Sequence, residues 1–199
     1  MEHASGKPSA VLIERARSGD PRAFEELARQ VERPLYRHAL RILGQDVDAE
    51  DVVQDALFSA WRSLASFEGT SFRAWIFRIA TNRALDRLRS RRRRPELPLD
   101  PPSDESEASG WWAEPAAPGP DLVQIAADRE ALGVVEEAIS SLPAEQRAAL
   151  LLRDVEGFAY EEIATITMTE MGTVKSRIHR GRLAVRNALV ARGWRGPAG

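Results

Sequence analysis

A segment in the middle of the chain constrains the fold more than any other feature. Residues 95–121 contain seven prolines, seven acidic side chains and no basic one. Proline fixes φ and removes a backbone donor, so a stretch of this composition forms neither a long helix nor a central strand. The sequence therefore predicts two folded units, residues 1–94 and 122–199, joined by an extended acidic linker.

The first unit is predicted to be a helical bundle. Ser18-Gly19-Asp20-Pro21 ends one short helix and starts a second, which Gly44 ends. A third helix, with a cap predicted near Asp48, is followed by a fourth that starts at Phe72. The third helix carries an apolar stripe at i, i+3/i+4 spacing, formed by Val52, Val53, Ala56, Leu57, Ala60, Trp61 and Leu64.

The second unit is predicted to be a four-helix domain. One helix spans residues 122–140, and Leu142-Pro143 precedes the next, because proline suits the first helical position. Helices over residues 159–166 and 172–190 follow, joined by a short turn. The predicted inward positions of this pair are Ile163, Ala164, Val174 and Ile178. A short helix, a tight turn and a basic second helix are typical of a helix-turn-helix, so the whole chain is predicted to be all-α.

The net charge of −2 does not exclude nucleic-acid binding, because it is a sum of opposite local charges. Residues 1–94 carry a net charge of +5, and the linker carries −7. Every charged residue after Gly172 is basic.

Composition excludes several classes of protein. With no cysteine, the chain forms no disulfide, zinc–thiolate site or cysteine nucleophile, and its three histidines are too far apart in sequence to indicate a metal site. No apolar run approaches the roughly 20 residues of a membrane helix, and the N-terminus lacks the apolar core of a signal peptide. We expect a cytoplasmic protein that has no metal or other cofactor and does not insert into a membrane.

The most specific motif is GTVKSRIHRGR at residues 172–182. A helix that enters the major groove with this sequence would offer Lys175, Ser176, His179 and Arg180 to base edges and phosphates. The alternative is an ordinary solvated basic helix.

The helix over residues 72–94 holds nine arginines and one acid, Asp86. Arginines at this density favour phosphates, and the aromatic residues Phe67, Phe72, Trp75 and Phe77 beside them suit stacking on unpaired bases. For Trp75 and Ile79 the favoured interpretation is that they are core residues, so only the aromatics at the rim need to face DNA.

The third helix has an acidic start and one basic residue, Arg62. Part of this acid is explained by the helix dipole. The surplus, together with polar residues outside the apolar stripe, predicts a face that docks on a protein.

At these residues the chain resembles the extracytoplasmic-function (ECF) sigma factors of bacterial RNA polymerase, in the sigma-70 family. AEDVVQDALFSAWRSLASF (49–67) resembles the helix that docks on the polymerase β′ clamp, and FRAWIFRIATNRALDRLRSRRR (72–93) resembles the −10 recognition helix. SLPAEQRAALLLRDVEGFAYEEIA (141–164), followed by GTVKSRIHRGR, resembles the −35 reading domain.

The resemblance implies a non-enzymatic initiation factor that binds core polymerase through the β′ clamp coiled coil and the β flap, and has an anti-sigma partner. Residues 1–94 (region 2) would read the −10 element as a single strand, and residues 122–199 (region 4) would read the −35 element as a duplex. The implied clamp-docking residues are Asp51, Gln54, Asp55, Ser59 and Arg62. The implied −10 residues are Phe67, Glu68, Gly69, Ser71, Phe72, Trp75, Arg78, Asn82, Arg83, Asp86 and Arg89. The implied −35 residues are Lys175, Ser176, Arg177, His179, Arg180 and Arg182.

Two departures from the family pattern raise further expectations. The helix-turn-helix turn carries Thr167 and Glu170 where the family places glycine and often proline, so its conformation is open. The linker contains Trp111-Trp112, whose role is open, and its acidity predicts that it mimics nucleic acid in the polymerase channel until the transcript displaces it. A merely solvating spacer is the alternative.

Two other functional classes fit part of the sequence. A helix-turn-helix regulator that acts without polymerase would share the recognition helix but would leave residues 1–94 unexplained. A nuclease that binds Mg²⁺ through Asp46, Asp48, Glu50 and Asp51 is compatible with the charge, but no phosphate-gripping motif accompanies these acids.

Overall fold

The computed structural model describes residues 10–68, 71–93 and 122–193, and it leaves out the side chains of residues 92–93 and 122–130. Within these ranges the chain forms helices and turns and no strand, which confirms the all-α class. The helices are α1 (Ala10–Arg17), α2 (Pro21–Leu43), α3 (Asp46–Ser63), α4 (Phe72–Arg93), α5 (Leu122–Ser141), α6 (Ala144–Leu150), α7 (Tyr160–Thr167) and α8 (Met171–Ala191). The linker, including Trp111 and Trp112, lies outside the described residues.

Helices α1–α4 form the first bundle, in which α2 packs against α1, α3 and α4. The predicted boundaries of α2 are confirmed. Asp20 caps its start by accepting hydrogen bonds from the N–H groups of Arg22 and Ala23, and Pro21 occupies the first turn. Gly44 ends the helix in the left-handed conformation, with φ of 74°.

The cap predicted near Asp48 is wrong. Helix α3 begins two residues earlier, after Gln45, and no side chain caps it. Asp48 is instead only 3% exposed and forms ion pairs with Arg87 and Arg91 of α4. The acidic start of α3 is thus used to bind α3 to the arginine-rich helix, a contact between residues far apart in sequence.

The second bundle consists of α5, α6 and α7 packed on α8. Pro143 precedes α6, as its position predicts. Gly181 of α8 is buried, and a Cβ added there would lie only 3.3 Å from a methyl carbon of Leu150. The glycine inside the basic motif therefore sets how closely α6 approaches the recognition helix.

The turn between α7 and α8 keeps a helix-turn-helix geometry without a glycine. Met168 takes the left-handed conformation, with φ of 51° and ψ of 45°, and its N–H donates to the Ala164 carbonyl. Thr167 continues α7, and its hydroxyl donates to the Ile163 carbonyl at 2.7 Å. The left-handed position of the turn, a conformation that favours glycine, is therefore Met168 rather than Thr167 or Glu170, and methionine is strained there.

We expect Met168→Gly to raise the free energy of unfolding by about 0.5–1 kcal/mol. Glycine removes the left-handed strain, an effect partly offset by its larger backbone entropy in the unfolded chain. Met171→Gly is the matched control, since Met171 opens α8 with helical geometry and glycine there lowers stability. Urea unfolding of both variants measures the effect, and a loss of stability in Met168→Gly would contradict it.

A histidine is buried inside the first bundle. His38 is 1% exposed, and its Nε2 lies 2.9 Å from the Thr81 hydroxyl, while its ring lies 5.2 Å from the Phe77 ring. Burial, reinforced by the charges of Arg41 and Arg73, lowers the pKa of His38 to about 3. The folded protein therefore holds this imidazole neutral throughout the neutral and mildly acidic range.

Stability is expected to fall on acidification because the unfolded chain binds a proton at His38 near pH 6.5 and the folded chain does not. Between pH 7 and pH 5 the wild type loses about 2 kcal/mol of unfolding free energy relative to His38→Gln, and the difference stops growing below about pH 3. Urea unfolding of both proteins at several pH values measures this, and parallel pH profiles would contradict it.

Candidate nucleic-acid interface

The recognition helix α8 presents its basic face to solvent. Lys175, His179 and Arg180 are exposed, whereas Val174 and Ile178 are buried to 1% exposure or less. Ser176 is half-buried, and its hydroxyl donates to the Thr173 carbonyl at 2.9 Å. The inward positions Val174 and Ile178 are those that the sequence predicts, so the predicted outward side chains share one face.

Two arginines of the predicted −35 set, Arg182 and Arg177, interact with acidic residues of the protein itself. Arg182 donates through Nε to Asp154 at 2.9 Å, and this bond, helped by the charge of Asp154, raises the pKa of Arg182. Arg177 is half-buried and acts electrostatically on Glu145 of α6. Arg182 therefore ties α8 to the segment that follows α6.

A cavity of about 450 Å³ opens beside the start of α4. Its lining includes five of the predicted −10 residues, Phe67, Glu68, Ser71, Trp75 and Arg78. Gly69, also in that set, lies outside the described residues. Glu162 and Thr165 of α7 also line the cavity, so the second bundle covers part of the opening.

Phe67 and Trp75 are the aromatic residues that line this cavity, and Phe72 packs against both of them. Phe67 is 6% exposed and Phe72 is 1% exposed. The Phe67 ring centroid lies 4.8 Å from that of Trp75 and 6.5 Å from that of Phe72. Trp75 is only half-buried, so it is the most accessible ring of this cluster.

The remaining predicted −10 residues on α4 are hydrogen-bonded within the protein. Asn82 donates through Nδ2 to the Ile166 carbonyl of α7 at 3.1 Å. Arg83 contacts Asp55 Oδ2 at 2.9 Å and the Ser59 hydroxyl at 2.6 Å. Asp86 pairs with Arg89 at 2.9 Å.

Helix α3 carries the predicted docking face. Asp51, Gln54, Asp55 and Arg62 are exposed, and Ser59 is half-buried. Phe58, absent from the predicted docking set, is 60% exposed beside them, with the Arg62 guanidinium 5.7 Å from its ring centroid. In the sequence, Phe58 lies outside the apolar stripe of α3, and that position is the signal that could have added it to the docking set.

The acids of a possible Mg²⁺ site have other partners. Asp46 accepts a hydrogen bond from the Tyr36 hydroxyl at 2.6 Å, which raises the pKa of Tyr36 to about 12. Asp48 is paired with Arg87 and Arg91, and Asp51 with Arg87. These contacts favour a structural role for the acidic cluster.

The two bundles contact each other through α4 and the segment around α7. Arg73 Nη2 lies 2.7 Å from Glu156 Oε2, and Arg73 Nη1 donates to the Glu156 carbonyl at 3.0 Å. The same guanidinium lies 4.3 Å from the ring centroid of Phe158 and 4.9 Å from that of Phe77. Arg147 of α6 donates to the Ile42 carbonyl of α2 at 2.8 Å.

The turn after α6 places Glu156 and Phe158 side by side. Helix α6 widens into a π-helical turn over Leu151–Val155. Gly157 follows with φ of 75°, a conformation that favours glycine. Arg153 fixes the end of this turn by donating to the Phe158 carbonyl at 2.8 Å.

No helix among the described residues is long and apolar enough to span a membrane.

Together, the exposed cations of a helix-turn-helix and an aromatic cavity beside an arginine-rich helix define an all-α protein suited to binding nucleic acid in two forms.

Comparison with known proteins identifies the family. The model of Sigma-70 region 2 matches residues 27–94, and that of Sigma-70 region 4 matches residues 132–185. The chain is 37% identical to RNA polymerase sigma-H factor of Pseudomonas aeruginosa, over 89% of this chain and 92% of the relative. It is 38% identical to the ECF RNA polymerase sigma-E factor of Escherichia coli K12, over 90% and 93%. The chain therefore belongs to the ECF sigma factors.

A solved structure supports the same assignment. The fold matches the sigma factor RpoE from Bartonella quintana, crystallised with the anti-sigma factor NepR, with a TM-score of 0.61 and 29% identity. The match covers 83% of this chain and 96% of RpoE.

Proposed function

We propose that this chain binds core RNA polymerase, directs it to specific promoters and helps to open the duplex. The observation that carries the proposal is that one chain combines an aromatic cavity on a region 2 helix with an exposed cationic helix-turn-helix in region 4. We assign residues 1–94 to the first role, residues 122–199 to the second and residues 95–121 to the linker. The chain acts in the cytoplasm and without catalysis.

Region 2 reads the −10 element as a single strand. The cavity accepts a base flipped out of the duplex, and stacking together with edge hydrogen bonds offsets the few kcal/mol that unstacking costs. The set that we propose contacts this strand is Phe67, Glu68, Gly69, Ser71, Phe72, Trp75, Arg78, Asn82, Arg83, Asp86 and Arg89.

Region 4 reads the −35 element as a duplex through α8 in the major groove. Lys175, His179 and Arg180 supply exposed donors, with Ser176, Arg177 and Arg182 beside them. The ion pair with Asp154 gives Arg182 the further role of orienting the helix.

Two protein partners complete the proposal. Asp51, Gln54, Asp55, Ser59 and Arg62 dock on the β′ clamp coiled coil, and region 4 docks on the β flap. Phe58 adds an exposed aromatic ring to the clamp face. After core polymerase, an anti-sigma factor is the second partner, by likeness to the Bartonella quintana complex.

Transcription with purified core polymerase tests the proposal. We expect the holoenzyme to select promoters from genomic fragments, start transcripts there and leave −10 thymines reactive to permanganate. A helix-turn-helix regulator would instead bind duplex DNA alone and add no promoter selectivity to core polymerase. Equal transcription with and without the chain would overturn the proposal.

A further inference from the structure

A glutamate of region 4 occupies a cationic recess on region 2. The side chain of Glu156 is only 8% exposed, and Arg73 grips its carboxylate and its carbonyl with two separate nitrogens. Phe77 and Phe158 flank the guanidinium. A buried ion pair needs such complete contacts, because removing both charges from water is costly.

The recess carries more positive charge than one glutamate neutralises. Burial raises the pKa of Glu156, and the charges of Arg73, Arg41 and Arg37 oppose that rise. Burial lowers the pKa of Arg41 and the charge of Arg37 lowers it further, whereas the charges of Glu156 and Glu136, both in region 4, raise it. When region 4 moves away, region 2 is left with these three neighbouring cations, which favour an anion in the place of the carboxylate.

The recess and the base cavity lie on different faces of the same part of α4. Arg73 lies on α4 within about one turn and a half of the cavity residues Trp75 and Arg78. Region 4 covers both features, since Glu162 and Thr165 line the cavity and Ile166 accepts the hydrogen bond of Asn82. Removal of region 4 would therefore uncover the recess and the cavity together.

On the basis of the function proposed above, we propose that Arg73, with Arg41 and Arg37, binds a backbone phosphate of the single-stranded promoter, and that Glu156 occupies this site in the closed protein. Carboxylate and phosphate both match the planar fork of a guanidinium. Opening the protein therefore exchanges one anion for another at Arg73.

Two charge-removing variants of the whole chain distinguish a phosphate site from an ion pair that only holds the two regions together. The probe is a labelled single strand taken from the −10 region of a promoter selected with the wild-type holoenzyme. Glu156→Gln frees the recess, so its affinity for this strand is expected to be about tenfold higher than that of the wild type. Arg73→Gln breaks the same pair but removes the phosphate ligand, so its affinity is expected to stay at least fivefold below that of Glu156→Gln. The salt dependence of binding by Arg73→Gln is shallower by about 0.7.

Two further readouts accompany binding. Since the chain has no cysteine, dyes on Glu25→Cys and Asn187→Cys, both at exposed positions, report the separation of the two regions. Glu156→Gln and Arg73→Gln both break the ion pair between the regions, so both are expected to lower energy transfer between the two dyes. In holoenzyme, Arg73→Gln shortens the lifetime of the open promoter complex at least fivefold, and Glu156→Gln leaves it unchanged.

Glu137→Gln is the matched control, because it removes an exposed glutamate paired with Arg192 and leaves the recess intact. Equal affinity gains in Arg73→Gln and Glu156→Gln would overturn the phosphate site. The absence of any gain in Glu156→Gln would also overturn it, whether or not the dyes report that the regions separate. Wild-type holoenzyme that starts no promoter-specific transcript would instead overturn the proposed function.

Discussion

Replacing Phe77 with alanine is expected to lower the free energy of unfolding by about 3–5 kcal/mol. The ring is 0% exposed and lies 5.2 Å from both the His38 and the Phe158 rings, so its loss leaves a cavity between the two bundles. A loss of this size is a large part of the roughly 5–15 kcal/mol that stabilises an ordinary domain. Urea unfolding followed by circular dichroism measures it.

Phe58→Ala is the control for this prediction because it removes the same side chain from a position that is 60% exposed. Its effect on stability is expected to stay within about 0.5 kcal/mol. If the two variants unfolded at similar urea concentrations, the assignment of Phe77 to the core would be wrong.

The double substitution Lys175→Ala with Arg180→Ala is expected to weaken promoter binding by holoenzyme at least roughly 30-fold. Both side chains are exposed on α8, and each good contact with a base contributes about 1–3 kcal/mol. Any contact made to a phosphate instead lowers the salt slope by nearly one. Equilibrium binding to a selected promoter, measured at several salt concentrations, tests both effects.

A control with the same loss of charge distinguishes base reading from general attraction. Arg29→Ala with Arg186→Ala removes two exposed arginines, one on α2 and one near the end of α8. We expect this control to bind nearly as tightly as the wild type. A promoter whose −35 element is scrambled should erase the difference between the two double variants, and a difference that persisted on it would argue against sequence reading by α8.

Local signals made most of the fold predictable from sequence. Gly44 and Pro143 mark helix boundaries because backbone geometry at these residues is decided by the residue itself. The burial of Val174 and Ile178 is predictable because apolar residues at helical spacing face the core. Met168 shows the limit of such rules, because the fold imposes a left-handed turn on a residue that does not favour it.

The candidate site was less predictable because several of its contacts join residues far apart in sequence. Asp48 looked like a cap, but two arginines about forty residues later bind it. Arg73 and Glu156 are 83 residues apart and belong to different units, so no periodicity relates them. Chain composition indicated separate units and gave no sign of the contact between them.

The position of Arg83 has a consequence for how two ligands influence each other. Its guanidinium, on the helix predicted to meet DNA, is bound by Asp55 and Ser59 of the predicted polymerase-docking face. A ligand on either surface that changes these hydrogen bonds changes the affinity of the other surface for its own ligand. Thermodynamic linkage requires the two effects to be equal, so any preference of the polymerase-bound chain for DNA equals the preference of the DNA-bound chain for polymerase.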